Sequence, residues 1–120
     1  MLDHERVGLG TDGLSSNSNL DFFQEIRFLC DMKVEQGIRQ SARLAVYFAT
    51  LGGARALFIE EKTGSLEIGK SADIICVDCE GEIASDPYSC IVSSKPQNLQ
   101  FSMVGGNFIY RKDSNAFCER

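Results

Sequence analysis

A chain of 120 residues that is 43% hydrophobic and 24% charged has the composition of a globular protein and the length of one domain with a modest core. Its formal net charge of −5, with acidic and basic residues interspersed, leaves no basic surface to neutralise a phosphate backbone, which argues against nucleic acid as a partner. No apolar run approaches the roughly 18 residues of a membrane span, and the charged opening Met1-Leu-Asp-His-Glu-Arg6 is unlike a secretory signal. A cytoplasmic location with no membrane attachment is therefore expected.

Residues 7–11 read as a short strand end that runs into a Gly, Ser and Asn-rich loop over 13–19. A helix should follow, because Ser18 and Asp21 form a Ser-x-x-Asp capping box and Phe22, Phe23, Ile26, Leu29 and Cys30 share one helical face. Ile38, Ala42, Ala45, Val46 and Ala49 predict a second helix with Arg39, Gln40 and Arg43 turned outward. Thr50 is placed to cap a third over 51–58, whose Gly52, Gly53, Ala54 and Ala56 are small enough for another backbone to approach closely.

Beyond Gly64 the periodicity changes. Residues 65–68 and 73–77 read as short strands separated by Gly69-Lys70-Ser71, and Ile74-Ile75-Cys76-Val77 is apolar on both faces, as a covered strand would be. Residues 79–97 read as a long connection with a short strand near 90–92. Residues 101–104 and 107–110 flank Gly105-Gly106, a two-residue hairpin signal of the primed-turn type.

The five cysteines, Cys30, Cys76, Cys79, Cys90 and Cys118, lack the dense spacing of a stapled secreted domain, so reduced thiols are expected. Cys76-Val-Asp-Cys79 satisfies Cys-x-x-Cys, the pattern of a zinc knuckle or a redox pair, but a structural zinc site wants a second pair, and Cys76 sits in an apolar run where a small buried thiol is common. Two other literal motif matches fail on context. Gly64-Ser-Leu-Glu-Ile-Gly-Lys-Ser71 fits the phosphate-cradling G-x-x-x-x-G-K-(S/T) pattern, yet a strand, not a helix, should follow it, and Glu67 would face the phosphates. Gly8-Leu-Gly10-Thr-Asp-Gly13 fits G-x-G-x-x-G, yet Asp12 would face a pyrophosphate and the next helix starts too late to direct its dipole there.

Gly8-Leu-Gly10-Thr11-Asp12-Gly13, Ala49-Thr50-Leu-Gly-Gly-Ala-Arg-Ala-Leu57, residues 64–75 and Val104-Gly105-Gly106-Asn107, taken in that order, resemble the amidohydrolase superfamily, in the branch of triazine chlorohydrolases and of deaminases acting on S-adenosylhomocysteine, methylthioadenosine or aminodeoxyfutalosine. Gly8-Leu-Gly10-Thr11-Asp12-Gly13 with Ser16-Asn17 and the start of the first helix resembles the last barrel strand and its loop. Ala49-Thr50-Leu-Gly-Gly-Ala-Arg-Ala-Leu57 resembles the family's small-residue helix, and residues 64–75 and 104–107 resemble its terminal β-sandwich. The resemblance implies an α+β chain: residues 1–60 as the end of a TIM-type (β/α)8 barrel and residues 61–120 as the C-terminal strands of a composite β-sandwich.

It also implies a metal-dependent hydrolase of C–N or C–Cl bonds in a purine-like or triazine-like ring, with a small-molecule substrate. Asp12 would be the catalytic carboxylate and a ligand of a divalent metal, zinc first, with iron or manganese as alternatives. That metal lowers the pKa of a bound water towards about 7, and a neighbouring carboxylate relays its proton. Asp12 could instead cap a turn, and Ser15, Ser16 and Asn17 either contact substrate or only form the turn before the helix.

The family's other metal ligands are histidines, beginning with a His-x-His pair. This sequence has one histidine, His4, which matches none of those positions. One carboxylate does not hold a catalytic zinc that takes about three protein ligands, and a full barrel takes roughly 250 residues. The resemblance therefore implies the C-terminal portion of such an enzyme, inactive alone and prone to self-association or homodimer formation through faces meant to pack on a barrel. The contrasting expectation is a small non-catalytic α+β interaction module.

Overall fold

The computed structural model describes residues 6–15, 19–35, 42–79 and 86–112. Helix α1 (Phe22–Glu35) begins where the Asp21 carboxylate accepts the Gln24 amide at 3.3 Å, satisfying one of the donors that a first helical turn leaves unpaired. Asp21 is thus itself the cap. The expected box would have placed the cap three residues earlier, at Ser18, which lies outside the described residues. The apolar face read from the sequence packs except at Phe22: Phe23 and Ile26 are buried, Leu29 and Cys30 lie against them, and Phe22 is exposed.

Helix α2 (Ala42–Ala49) brings Ala45, at 1% exposure, onto Phe23 and Ile26 to complete the core cluster. Arg43 is exposed as expected, whereas Ile38, Arg39 and Gln40 lie outside the described residues. Phe48 is also buried, a core position that the predicted face passed over. Helix α3 (Leu51–Ala56) stops two residues short of the predicted end, because Phe58 turns the chain with φ +60°. Thr50 does not cap it. A single residue separates α2 from α3, so the nearest acceptor is the Val46 carbonyl, and the Thr50 hydroxyl donates to it at 2.8 Å.

No strand forms over 65–68. The Lys70 ammonium donates to the Ser65 hydroxyl at 2.7 Å and pairs with Glu67 at 2.9 Å, while the Ser65 hydroxyl donates to the Glu67 carboxylate, and together these bonds curl the segment into turns. The Ser65 hydroxyl and then Lys70 hold the Glu67 carboxyl below its ordinary range. The phosphate-loop match is answered in the same place, since the segment leads into a strand and no helix receives it.

Strands β1 (Ile74–Val77), β2 (Leu99–Val104) and β3 (Asn107–Arg111) form an antiparallel sheet in sequence order, with Ile75 opposite Ser102 and Ser102 opposite Tyr110. Gly105 and Gly106 make the hairpin turn with φ +57° and +84°, the pair of positive values that a primed turn demands. Strand β1 is not covered on both faces as its sequence suggested. Ile75 remains 54% exposed while Ile74, Cys76 and Val77 are half-buried.

The strand expected near 90–92 is instead helix α4 (Pro87–Ser93). Asp86 accepts the Tyr88 and Ser89 amides at 3.0 and 3.3 Å, and Pro87 occupies the first helical position, where its missing N–H costs nothing. Arg27 of α1 donates to the Ser94 carbonyl and fastens the two helices together. Cys79 is disulfide-bonded to Cys90, contrary to the expectation of reduced thiols, and Cys76 is a free thiol.

Asp73 ties the sheet to the turns before it. Its carboxylate accepts the Gly105 amide at 2.8 Å, the Thr63 hydroxyl at 2.8 Å and the Ser71 hydroxyl at 2.9 Å. These bonds, the Gly105 amide foremost, hold the Asp73 carboxyl below its ordinary range. A depressed folded-state pKa contributes stability that is present above the unfolded value of about 3.9 and is lost as pH falls through the folded one. Asp73→Asn is therefore expected to melt earlier than the parent at pH 7, with the gap closing below about pH 3.9, as read by circular dichroism melts across pH.

Candidate active site

The segment that carries Asp12 has no regular secondary structure and, among the described residues, pairs with no strand, so the strand end expected over 7–11 is absent. Other contacts fix its path. A Cβ built on Gly8 would lie 2.7 Å from Gly53 Cα, and one on Gly52 would lie 2.5 Å from the Val7 carbonyl oxygen. The backbone that the small residues of α3 admit is thus the chain's own 7–8, and Leu9 continues onto the core cluster.

Arg6 locks the start of this segment. Its guanidinium donates to the Arg55 carbonyl at 2.6 Å, meets Glu60 at 3.4 Å and lies 4.3 Å from the Phe58 ring centroid. Sequence reasoning passed Arg6 over as one more charge near a terminus, since nothing local links it to residues some fifty positions away.

Asp12 stands at the exposed tip of the anchored segment with φ +58°, the left-handed region that Asp tolerates better than most residues. Oδ1 accepts the Gly13 amide at 2.7 Å, and the Thr11 hydroxyl donates to the Asp12 carbonyl at 3.2 Å. Among the described residues Oδ2 accepts no hydrogen bond. The carboxylate thus has a local turn bond, as the capping alternative holds, and one oxygen open to solvent. Ser15 is exposed in the turn that follows, while Ser16, Asn17 and His4 lie outside the described residues.

Among the described residues no three His, Cys, Asp or Glu side chains come together, so these residues alone do not fit a catalytic metal. The helix layer and β1 border an apolar groove of about 700 Å³, lined by Phe22, Ile26, Val46, Leu57 and Ile75, and Asp12 does not line it. No helix among the described residues is long and apolar enough to cross a membrane.

Comparison with known families places residues 1–109 on the Amidohydrolase family, nine-tenths of the chain and including Asp12. The chain belongs to that family. This amidohydrolase chain is 44% identical over 114 residues to the 5-methylthioadenosine/S-adenosylhomocysteine deaminase of Caldanaerobacter subterraneus, covering 88% of itself and 26% of that protein. It is 40% identical over 111 residues to the 5'-deoxyadenosine deaminase of Methanobrevibacter smithii, covering 86% of itself and 26% of that protein.

Among solved structures it matches a zinc-bound adenosine deaminase from Xanthomonas campestris with a TM-score of 0.78 at 29% identity, covering 92% of itself and 28% of that chain. It matches the fold of E. coli guanine deaminase with the same score of 0.78 at 24% identity, covering 90% of itself and 28% of that chain. The amidohydrolase chain thus spans about a quarter of the length of the relatives it matches.

Proposed function

We propose that this chain supplies the C-terminal part of a metal-dependent deaminase that removes the exocyclic amino group of an adenine nucleoside. The observation that carries this reading is the 44% identity, over 114 residues, to a protein named for deamination of 5-methylthioadenosine and S-adenosylhomocysteine. Residues 1–60 then correspond to the end of the barrel and residues 61–120 to the C-terminal strands of the sandwich.

Asp12 is the group this chain brings to the chemistry. An exposed carboxylate just beyond a segment anchored through Arg6 and Gly8, with one oxygen engaged by the Gly13 amide, is suited to accept a proton and to hand it on. A divalent metal held by Asp12 together with ligands from outside this chain would supply the activation of water. The remaining ligands, histidines by resemblance, come from sequence that this chain does not contain, and Ser15, Ser16 and Asn17 border the substrate.

The test is a chimera in which this chain replaces the matching C-terminal stretch of the Caldanaerobacter enzyme. With zinc, iron or manganese supplied, it is expected to release ammonia from 5-methylthioadenosine or S-adenosylhomocysteine, whereas the 120-residue chain alone releases none. A chimera that folds, binds metal and releases no ammonia from either nucleoside would overturn the proposal. It would leave the interaction module as the better reading.

A further inference from the structure

Cys79 follows β1 and Cys90 lies in the first turn of α4, with Cα atoms 5.8 Å apart, inside the span that a disulfide bridges. Cys90 is buried at 7% exposure and Cys79 is half-buried. Cys76, the partner that the Cys-x-x-Cys pattern would offer, stands three positions from Cys79 on chain whose ladder continues through the Asp78 amide to the Asn98 carbonyl at 2.8 Å. Cys76 is nonetheless a free thiol, and the sulfur that meets Cys79 is that of Cys90. Helix α4 packs on the helical layer, with Ile91 and Val92 against the core cluster, while residue 79 lies two positions beyond the end of β1. The Cys79–Cys90 bond therefore joins the two layers.

We propose that Cys79 and Cys90 form a reversible thiol–disulfide clasp that fastens α4 to the end of β1, closed by a small-molecule disulfide such as glutathione disulfide and opened by the corresponding thiol. The Cys79 thiolate attacks one sulfur of glutathione disulfide, breaking its S–S bond, forming a mixed disulfide and releasing one glutathione thiolate. Cys90 then gives its proton to solvent and its thiolate attacks the Cys79 sulfur, expelling the second glutathione thiolate. Two protein thiols are oxidised and one glutathione disulfide is reduced to two thiols. Burial sets the order, because the more accessible Cys79 meets the reagent first and Cys90 resolves. Closing a separation of 11 residues constrains the unfolded chain and lowers the unfolding equilibrium constant, by a factor on the order of a hundred.

The test is reduction of the intact 120-residue chain, incubation with glutathione disulfide, alkylation of remaining thiols and cleavage before aspartates. The expected product joins peptide 78–85 to peptide 86–112, and Cys90→Ser traps glutathione on peptide 78–85 while Cys79→Ser traps none. Denaturant unfolding of the oxidised parent is expected to show the stabilisation relative to the reduced parent, and Cys30→Ser to retain it. A join of 78–85 to 73–77 or to 113–120, full alkylation of Cys79 and Cys90 after oxidation, glutathione trapped at Cys90 in Cys79→Ser, or equal stability of the two parent forms would each overturn the clasp. The parent measurements stand even if a variant fails to fold.

Discussion

Asp12→Asn in the active chimera is expected to lower turnover by about 10²–10⁴-fold, the range that loss of a positioned proton-transfer group produces. Asn is the informative replacement because it keeps the local structure. Its side-chain oxygen can still accept the Gly13 amide that now meets Oδ1 at 2.7 Å, and Asn tolerates the left-handed backbone found at φ +58°. What it loses is the negative charge and the capacity to take up a proton. Thermal melts should then match the parent while ammonia release collapses, and metal analysis of the same preparation shows whether the ligand role is lost too. A fall of less than about tenfold, with metal content unchanged, would leave Asp12 as a turn residue only.

The largest stability loss is expected from Gly64→Ala, about 2–4 kcal/mol, from backbone strain and overpacking acting together. Gly64 has φ +97°, which a side chain disfavours, and its Cβ would stand 2.6 Å from Ala54 Cβ and 3.1 Å from Leu51 Cα. Both contacts belong to α3, so relief requires the helix to move. That same helix receives Val7 and Gly8 on Gly52 and Gly53, and its displacement loosens the segment that ends at Asp12.

Gly69→Ala separates the two causes. Gly69 has nearly the same φ, +93°, with nothing within 4 Å of its Cβ, so only the backbone penalty of about 1–2 kcal/mol applies. Chemical denaturation of the two variants beside the parent measures the difference. Equal losses would mean that the contact with α3 contributes nothing.

Local chemistry was legible where side chains meet their own neighbours. The face of α1, the outward Arg43, and the Gly105-Gly106 hairpin with its antiparallel partners all followed from spacing within one element. The failures share a cause. Residues 65–68 alternate like a strand but have no partner strand, and the Lys70, Glu67 and Ser65 side chains bond one another instead. Cys90-Ile-Val92 has strand-like composition, yet Asp86 and Pro87 just upstream start a helix, a signal the sequence carried and the apolar run obscured.

By itself, then, the sequence determined membership of the amidohydrolase family, the α+β class, and Asp12 as the carboxylate worth testing, because ordered blocks and local periodicity are written along the chain. Only the tertiary structure decided what holds Asp12 in place. The Arg6 bond to the Arg55 carbonyl, the contact of Gly8 with Gly53, and the joining of Cys79 to Cys90 bring together residues that no periodicity links. Such pairings depend on which packed faces come together, and that choice is made by burial of the Phe23, Ile26 and Ala45 core rather than by any local pattern.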